Sequence, residues 1–361
     1  MLMGSELPEL GKLPPEVFEE VIYKNLGKER KEVAVPPRSG VDFGVIELKD
    51  VAIIVKTDPV FIVPEYGWEK SSWFAVHILA SDVAVSGSPP MYAAIDLNLP
   101  TKMSKEEFVK MWKGISDECR RLGIAIVAGH TGKYEGVDYP MLGGMTFLSI
   151  TSKDGYVTTQ MAEPGDAVIM TKGPAVEAAG ILASMFPKAV EQKYGKAFAE
   201  RASSIFYKQS VYRDAMILSK LGLRTAVTSM HDATEYGVWG ALNDISEASG
   251  NGIEVYESQL FYDEDVKKVV ELFSEIAGER FDMYSAISEG TLIATVRESR
   301  AQEAVKRLES EGIRAGVIGK VVEGEGVYLK KKDGSEEKIR RPSKDPFWPV
   351  FFKVSKALRE I

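Results

Sequence analysis

Leu79-Ala80-Ser81-Asp82-Val83-Ala84-Val85-Ser86-Gly87 ends an apolar helical stretch with a carboxylate in its last turn. Three more short motifs also set carboxylates beside Gly, Ser or Thr. They are Gly40-Val41-Asp42-Phe43-Gly44, Lys56-Thr57-Asp58-Pro59 and Met230-His231-Asp232-Ala233-Thr234-Glu235-Tyr236-Gly237. Each reads as the end of an apolar segment. Carboxylates this far apart in sequence can meet at strand ends, where they repel one another unless a cation sits among them. Oxygen-rich sites of that kind suit Mg²⁺ or Mn²⁺, which commonly act together with substrate phosphate. The pattern therefore points to metal-assisted phosphate chemistry.

Working outward from the motifs, Trp68–Val85 reads as a helix and Lys105–Leu122 as a charged amphipathic one closed by Gly123. Residues 14–31 also read as a helix, opened by Pro14-Pro15-Glu16 and stopped at Gly27. Val45–Leu48, Val51–Val55, Met91–Leu97, Ile124–Ala128 and Met141–Ile150 read as strands, the fourth of them buried. A boundary falls near Ala162-Glu163-Pro164-Gly165-Asp166. Beyond it the expected strands are Ala167–Met170, Thr225–Thr228, Gly290–Val296, Arg314–Lys320 and Val327–Lys330. The expected helices there are Val176–Met185, Glu200–Ser219, Gly237–Ala248 and Ala301–Ser310. Strands and helices mix in both halves, as in α/β or α+β folds. The expected organisation is residues 1–160, residues 161–333 and a tail of residues 334–361 with an apolar run at Phe347–Phe352.

With 361 residues, 45% hydrophobic and 27% charged, the chain is long enough for two domains and a large core. The net charge of −8 argues against nucleic acid as a general partner, which would need a basic face. Cys119 is the single cysteine, so an internal disulfide and a thiolate zinc site are both excluded. Met1–Lys12 has no secretory pattern, and no apolar run reaches membrane-spanning length. A cytoplasmic protein without a membrane partner is the expectation. Four asparagines and five glutamines among many Glu and Lys lean toward a heat-adapted source.

Each motif also has a structural reading. Asp58 or Asp82 alone could cap a turn or a helix. Yet Asp82 stands in apolar surroundings, and a buried carboxylate needs a partner. His231 to Glu235 precedes a helix near Gly237, and a helix N-terminus binds phosphate as readily as it accepts a cap. Ala128-Gly129-His130-Thr131-Gly132-Lys133 reads as a loop after a strand, able to cradle an oxyanion with Lys133 beside it. It lacks P-loop spacing. Thr171-Lys172-Gly173-Pro174 is either a turn or a phosphate contact, and His77 and Cys119 read as packing residues.

In this order the motifs resemble the AIR-synthetase (PurM-like) superfamily. It includes aminoimidazole-ribonucleotide synthetase, thiamine-monophosphate kinase, selenophosphate synthetase and the hydrogenase-maturation dehydratase HypE. Gly40-Val41-Asp42 is similar to its G-x-D segment, Lys56-Thr57-Asp58 to T-T-D, and Leu79–Gly87 to its N-x-S-D-I-A-A-M-G helix. Gly129-His130-Thr131 stands where G-D-T is usual, and His231–Gly237 is similar to H-D-x-T-x-G-G-V. Pro164-Gly165-Asp166, Ser288–Leu292 and Val317–Lys320 also have counterparts, so the resemblance covers about residues 11–330.

The resemblance implies a two-domain PurM-like α/β (α+β) fold whose first domain pairs with a twin into a dimeric β-barrel. It also implies ATP or another phosphate compound with Mg²⁺ or Mn²⁺. The expected site sets Asp42, Asp58, Asp82, Asp232 and Glu235 around the metal. Asp58, Asp82 and His130 are expected to carry the chemistry, and Lys133, Lys172, His231, Thr234 and Gly237 to hold the phosphate compound.

Departures from the pattern narrow the function. One carboxylate stands in Gly40-Val41-Asp42, His130 replaces an Asp, and Tyr236 replaces a Gly. Ala357–Ile361 carries no cysteine for HypE-type chemistry, and no early cysteine suits selenophosphate synthesis. What remains is metal-phosphate machinery without an acceptor. The expected function is a Mg²⁺/Mn²⁺-dependent phosphohydrolase acting on a nucleotide or small phosphate ester. The alternatives are an ATP-dependent enzyme phosphorylating a small amide or hydroxyl, and a non-catalytic nucleotide-binding maturation subunit.

Overall fold

A computed structural model describes residue 13 and residues 17–359. The expected start of a helix at Pro14–Glu16, and the reading of Met1–Lys12, lie outside the described residues. Where a long helix was expected over residues 14–31, only a short helical turn, Phe18–Ile22, is formed. It buries no side chain, so nothing extends it.

The first sheet contains β1 (Val33–Val35), β2 (Gly44–Leu48), β3 (Val51–Phe61), β4 (Tyr92–Pro100), β5 (Ala125–Tyr134) and β6 (Met141–Ser152). Their spatial order is β1-β2-β3-β6-β4-β5. This sheet is open, with β1 and β5 at its edges, so the described residues of one chain form no closed barrel. Two helices accompany it, α1 (Trp68–Ala84) and α2 (Lys105–Leu122). A Ser104–Glu107 capping box starts α2, and left-handed Gly123 ends it.

The second sheet contains β7 (Asp166–Thr171), β8 (Val227–Ala233), β9 (Gly252–Tyr256), β10 (Thr291–Arg297), β11 (Ala315–Val322), β12 (Gly326–Lys330) and β13 (Glu336–Ile339). They lie in the order β13-β12-β9-β11-β7-β10-β8. Its helices are α3 (Val176–Met185), α4 (Pro187–Tyr194), α5 (Lys196–Ser204), α6 (Tyr212–Ser219), α7 (Gly237–Ser249), α8 (Glu264–Ala277) and α9 (Glu298–Ser310). Every residue of β7 and β8 is buried, because helices cover both faces of the sheet. On one face Val168, Met170, Ile293 and Ile253 pack with Val238 and Leu242 of α7. On the other, Ile169, Leu292 and Val296 join the core that continues into the first sheet.

Helix α1 ties the two halves together. It is apolar nearly all round, and residues such as Val76, Leu79 and Val83 are fully or almost fully buried. They share one core with Ile54 of β3, Leu218 of α6 and Met230 of β8. Among the described residues, no helix is long and apolar enough to cross a membrane.

Three expectations need correction. Asp58 is not at the end of a strand: β3 runs on through it to Phe61, pairing Asp58 with Met145 of β6. The expected loop at Ala128–Lys133 is part of β5, which is mostly exposed rather than buried. Parallel pairing with β4 continues through Asp96↔His130 to Pro100↔Tyr134 and keeps the segment extended. The single helix expected at Glu200–Ser219 is split by a 3₁₀ turn at Ile205–Lys208, where Phe206 turns inward against Trp73 and Phe74.

The tail packs on its own chain. Phe347–Arg359 forms α10, and Phe347, Val350 and Val354 are fully buried against α3 and α8. Asp345 starts the helix by accepting from the Phe347 N–H, and its other oxygen accepts from the Tyr236 N–H. Phe347→Ala should therefore lower stability by about 3–5 kcal/mol, the usual cost of emptying a phenylalanine site. Chemical denaturation would measure this, and an unchanged midpoint would show that the helix adds no core.

Candidate functional site

Lys56 and Asp58 are two residues apart on β3, so both project from the same face of the strand. That face looks toward α1, whose last turn supplies Asp82. The Lys56 Nζ lies 3.0 Å from Asp82 Oδ2 and 3.6 Å from Asp58 Oδ1. Burial works against the ammonium. The charges of Asp82, Asp58 and Asp42 outweigh it and raise the Lys56 pKa above its ordinary value.

Asp42 arrives on the loop between β1 and β2. Gly40, with φ of 72°, lets that loop press on α7, where a Cβ would lie 2.7 Å from the Asp244 carbonyl oxygen. Asp42 Oδ2 is 2.6 Å from His231 Nδ1, and the opposite ring nitrogen, Nε2, is 3.2 Å from Asp244 Oδ2. Both nitrogens thus face carboxylates, and both act as donors in the imidazolium form. Burial opposes that charge, but Asp42 and Asp244 hold the His231 pKa well above its ordinary value. Asp244 is pulled down to about 2: burial would raise it, and His231 and Arg341 prevail. Arg341, from the segment before α10, reaches Asp244 at 2.5 Å and Glu247 at 2.9 Å.

Asp232 is the neighbour of His231 on β8 and is fully buried. Neither of its carboxylate oxygens has a hydrogen-bond partner among the described residues. The closest ionic contact is His231 Nδ1 at 3.9 Å, beyond hydrogen-bond range. Burial, together with the charges of Asp82 and Asp42, pushes Asp232 well above the carboxylate range. Glu289, just before β10, behaves alike: it is 2% exposed, and its Oε1 has no partner. Burial and the charges of Asp232, Glu177 and Asp82 raise it well above its ordinary value.

An unpartnered buried polar group costs about 1–3 kcal/mol, so such groups mark places where a ligand belongs. Ligating atoms of Asp42, His231 and Asp232 lie within 4.8 Å of one another. The oxygens of Asp42 and Asp232 fit a divalent cation, since Mg²⁺ commonly takes one or two carboxylates and fills its shell with water and phosphate. His231 does not fit as a ligand while both ring nitrogens donate.

The structure thus gathers Asp42, Asp58, Asp82, His231 and Asp232 into one pocket at the seam between the sheets. Of the other expected site residues, His130, Lys133 and Lys172 have partners outside this group. His130 is exposed on edge strand β5, with β6 and β4 between it and β3, and its Nε2 lies 2.7 Å from the Tyr134 hydroxyl. Lys133 donates to the Met103 carbonyl at 2.8 Å. Lys172 is held by the Ser210 carbonyl and by Asp214, each within 2.9 Å. The Thr234 carbonyl closes the turn by accepting from the Gly237 and Ser288 N–H groups. Gly237 serves packing, since a Cβ there would lie 2.4 Å from the Ala286 carbonyl oxygen. Glu235 acts on Asp345, whose pKa its charge helps to raise.

Lys56, Asp244, Glu289 and Arg341 escaped the reading of the sequence. A signal existed only for Lys56, whose i, i+2 spacing from Asp58 on a strand places both on one face. Glu289 lies within Ser288–Leu292, matched in the sequence only as a segment, while Asp244 and Arg341 come from separate elements with no motif around them.

A family model described as "AIR synthase related protein, N-terminal domain" matches residues 40–148. Another, described as "AIR synthase related protein, C-terminal domain", matches residues 163–332. Carbamoyl dehydratase HypE of Azotobacter vinelandii is 23% identical over 338 residues, covering 91% of this chain and 89% of that protein. A crystal structure of the hydrogenase maturation protein HypE in complex with ATP aligns with a TM-score of 0.63 at 20% identity, covering 92% and 93% of the two chains. Thiamine monophosphate kinase from Aquifex aeolicus aligns with a TM-score of 0.63 at 18% identity, covering 89% and 97%.

The His231 arrangement makes stability depend on pH. Its folded pKa lies above the unfolded value of about 6.5, so its contribution is complete below that pH and fades as pH rises through the folded pKa. With a chelator present, His231→Gln should be clearly less stable than wild type near about pH 6, and the gap should narrow at alkaline pH. Melting temperatures across the range would test this. A constant gap would mean that the imidazole is neutral in the fold.

Proposed function

The chain belongs to the AIR synthase related family and has its mixed α/β, PurM-like two-domain fold. From that premise we propose that it is an ATP-dependent enzyme that phosphorylates an amide or hydroxyl oxygen of a small metabolite. The observation that carries the reading is Asp232, buried with both oxygens unpartnered beside Asp42. Those two carboxylates would hold a divalent cation. When bound, Mg²⁺ neutralises phosphate oxygens and orients a polyphosphate. His231 fixes one oxygen of Asp42, and Asp244 with Arg341 fixes His231.

The relatives' names favour ATP over simple hydrolysis. Carbamoyl dehydratase HypE, HypE in complex with ATP and thiamine monophosphate kinase all stand nearer to this reading than to a phosphohydrolase. Cys119 is buried in α2 with its thiol pushed up to about 12, which leaves the sequence's single cysteine unreactive. The acceptor is therefore a small molecule in this reading. A cytoplasmic setting goes with it.

Calorimetry with Mg²⁺ and ATP, followed by an acceptor screen that reads ADP release, tests the proposal. Failure to bind nucleotide would sink it, and acceptor-independent hydrolysis of phosphate esters would restore the phosphohydrolase. Asp232→Asn should lower Mg²⁺-dependent turnover by at least about 10- to 100-fold, the range seen when a ligand's supporting partner is removed. The same variant should unfold near the wild-type temperature without metal, because the carboxyl it replaces is already driven toward its neutral form.

We also propose a homodimer through the first sheet. Val51, Val127 and Ile150, on β3, β5 and β6, are 40%, 60% and 44% exposed. A stable pairing would bury more than about 1,000 Å². Sedimentation that shows only monomer at micromolar concentration would exclude it.

A further inference from the structure

The acidic pocket already contains a cation on its own chain. Lys56 Nζ stands between Asp82 and Asp58, at 3.0 and 3.6 Å, with Asp42 close enough to act on its charge. Its side chain is 22% exposed and that of Asp82 only 7%. An ammonium has three donors and no acceptor, and here two carboxylates from different elements engage it. Removing it would take away the ammonium that both Asp58 and Asp82 engage.

We propose that the Lys56 ammonium occupies the place of one divalent cation, between Asp58 and Asp82, so that the pocket takes a single metal ion at Asp42 and Asp232. Three observations support this. First, the lysine comes from the strand that carries Asp58, two residues away on the same face, so β3 itself delivers carboxylate and counter-charge together. Second, the buried carboxyl oxygens that lack a hydrogen-bond partner among the described residues, both of Asp232 and one each of Glu235 and Glu289, are not bonded to Lys56. Among the described residues, Asp232 beside Asp42 therefore offers the oxygens still open to a cation. Third, the carboxylate oxygens stand 3.0 and 3.6 Å from the ammonium nitrogen, farther from the shared centre than the about 2.0–2.1 Å at which Mg²⁺ binds oxygen. Asp58 and Asp82 are thus set for the lysine, and must close in before they can share a metal.

The proposal rests on the reading of Asp42 and Asp232 as the cation site, but its test needs no turnover and no nucleotide. Mn²⁺, which also gives a spectroscopic signal, is titrated by calorimetry into wild type, Lys56→Met and Lys56→Arg, with melting temperatures recorded in parallel. The expected result is one Mn²⁺ per wild-type chain and one more in Lys56→Met. In chelator Lys56→Met should melt below wild type, and Mn²⁺ should raise its melting temperature by more than it raises that of wild type. Lys56→Arg keeps a positive charge and should keep the wild-type count.

Equal Mn²⁺ counts in wild type and Lys56→Met would overturn the proposal. So would two ions in the wild-type chain, a measurement that stands even if Lys56→Met does not fold. Weaker ATP binding by Lys56→Met with an unchanged Mn²⁺ count would make the lysine a phosphate contact and would also overturn it. Failure of the ATP-dependent reading would appear separately, as a protein with the expected ion counts that binds no nucleotide.

Discussion

Carboxylates from β3, α1, the β1–β2 loop, β8 and α7 meet at the seam between two sheets, where water is scarce. Like charges at such range cannot all stay ionised without cations among them. The chain supplies its own: Lys56 between Asp58 and Asp82, and His231 between Asp42 and Asp244. Arg341 then secures Asp244 from outside. Burial and neighbouring carboxylates outweigh what these cations offer Asp232, and they push Asp232 and Glu289 well above the carboxylate range. The division separates a structural group of ion pairs from a pair of carboxyl groups still open to a ligand.

Charge balance of this kind needs a rigid frame, and α1 provides it. One helix, buried nearly all round, packs on β3 and also touches β8 and α6 of the second half. Asp82, in its last turn, is therefore placed relative to both sheets at once. The tail adds to the same frame from the other side. Asp345 holds the Tyr236 N–H at the start of α7, and Arg341 holds Asp244 and Glu247 within α7. The apolar run Phe347–Phe352 thus lies in a helix that helps to fix the element carrying one of the His231 partners.

Much of this was legible in the residues. The 3.6-residue spacing of Lys105–Leu122 between Ser104 and Gly123 is a complete local signal, and that helix appears with the expected bounds. The motif order was enough for the fold. The failures at the acidic and glycine-rich motifs share one cause. Asp58, Gly129–Lys133 and His231–Asp232 look like loop residues because Gly, Thr and Asp favour turns, yet all lie within strands. Pairing with β6, β4 and β10 holds them extended, and pairing partners lie far away in sequence.

By itself, the sequence determined the family-like fold, the helices with local caps, and the identity of the acids Asp42, Asp58, Asp82 and Asp232. These are properties of residue type and spacing, which act over short range along the chain. Only the tertiary structure decided which acids stay free. Lys56, His231 and Arg341 pair with some carboxylates and leave both oxygens of Asp232 and one of Glu289 without a hydrogen bond among the described residues, while His130, Lys133 and Lys172 find partners elsewhere. Coulomb energy depends on distance through space and on burial, and neither is written along the chain.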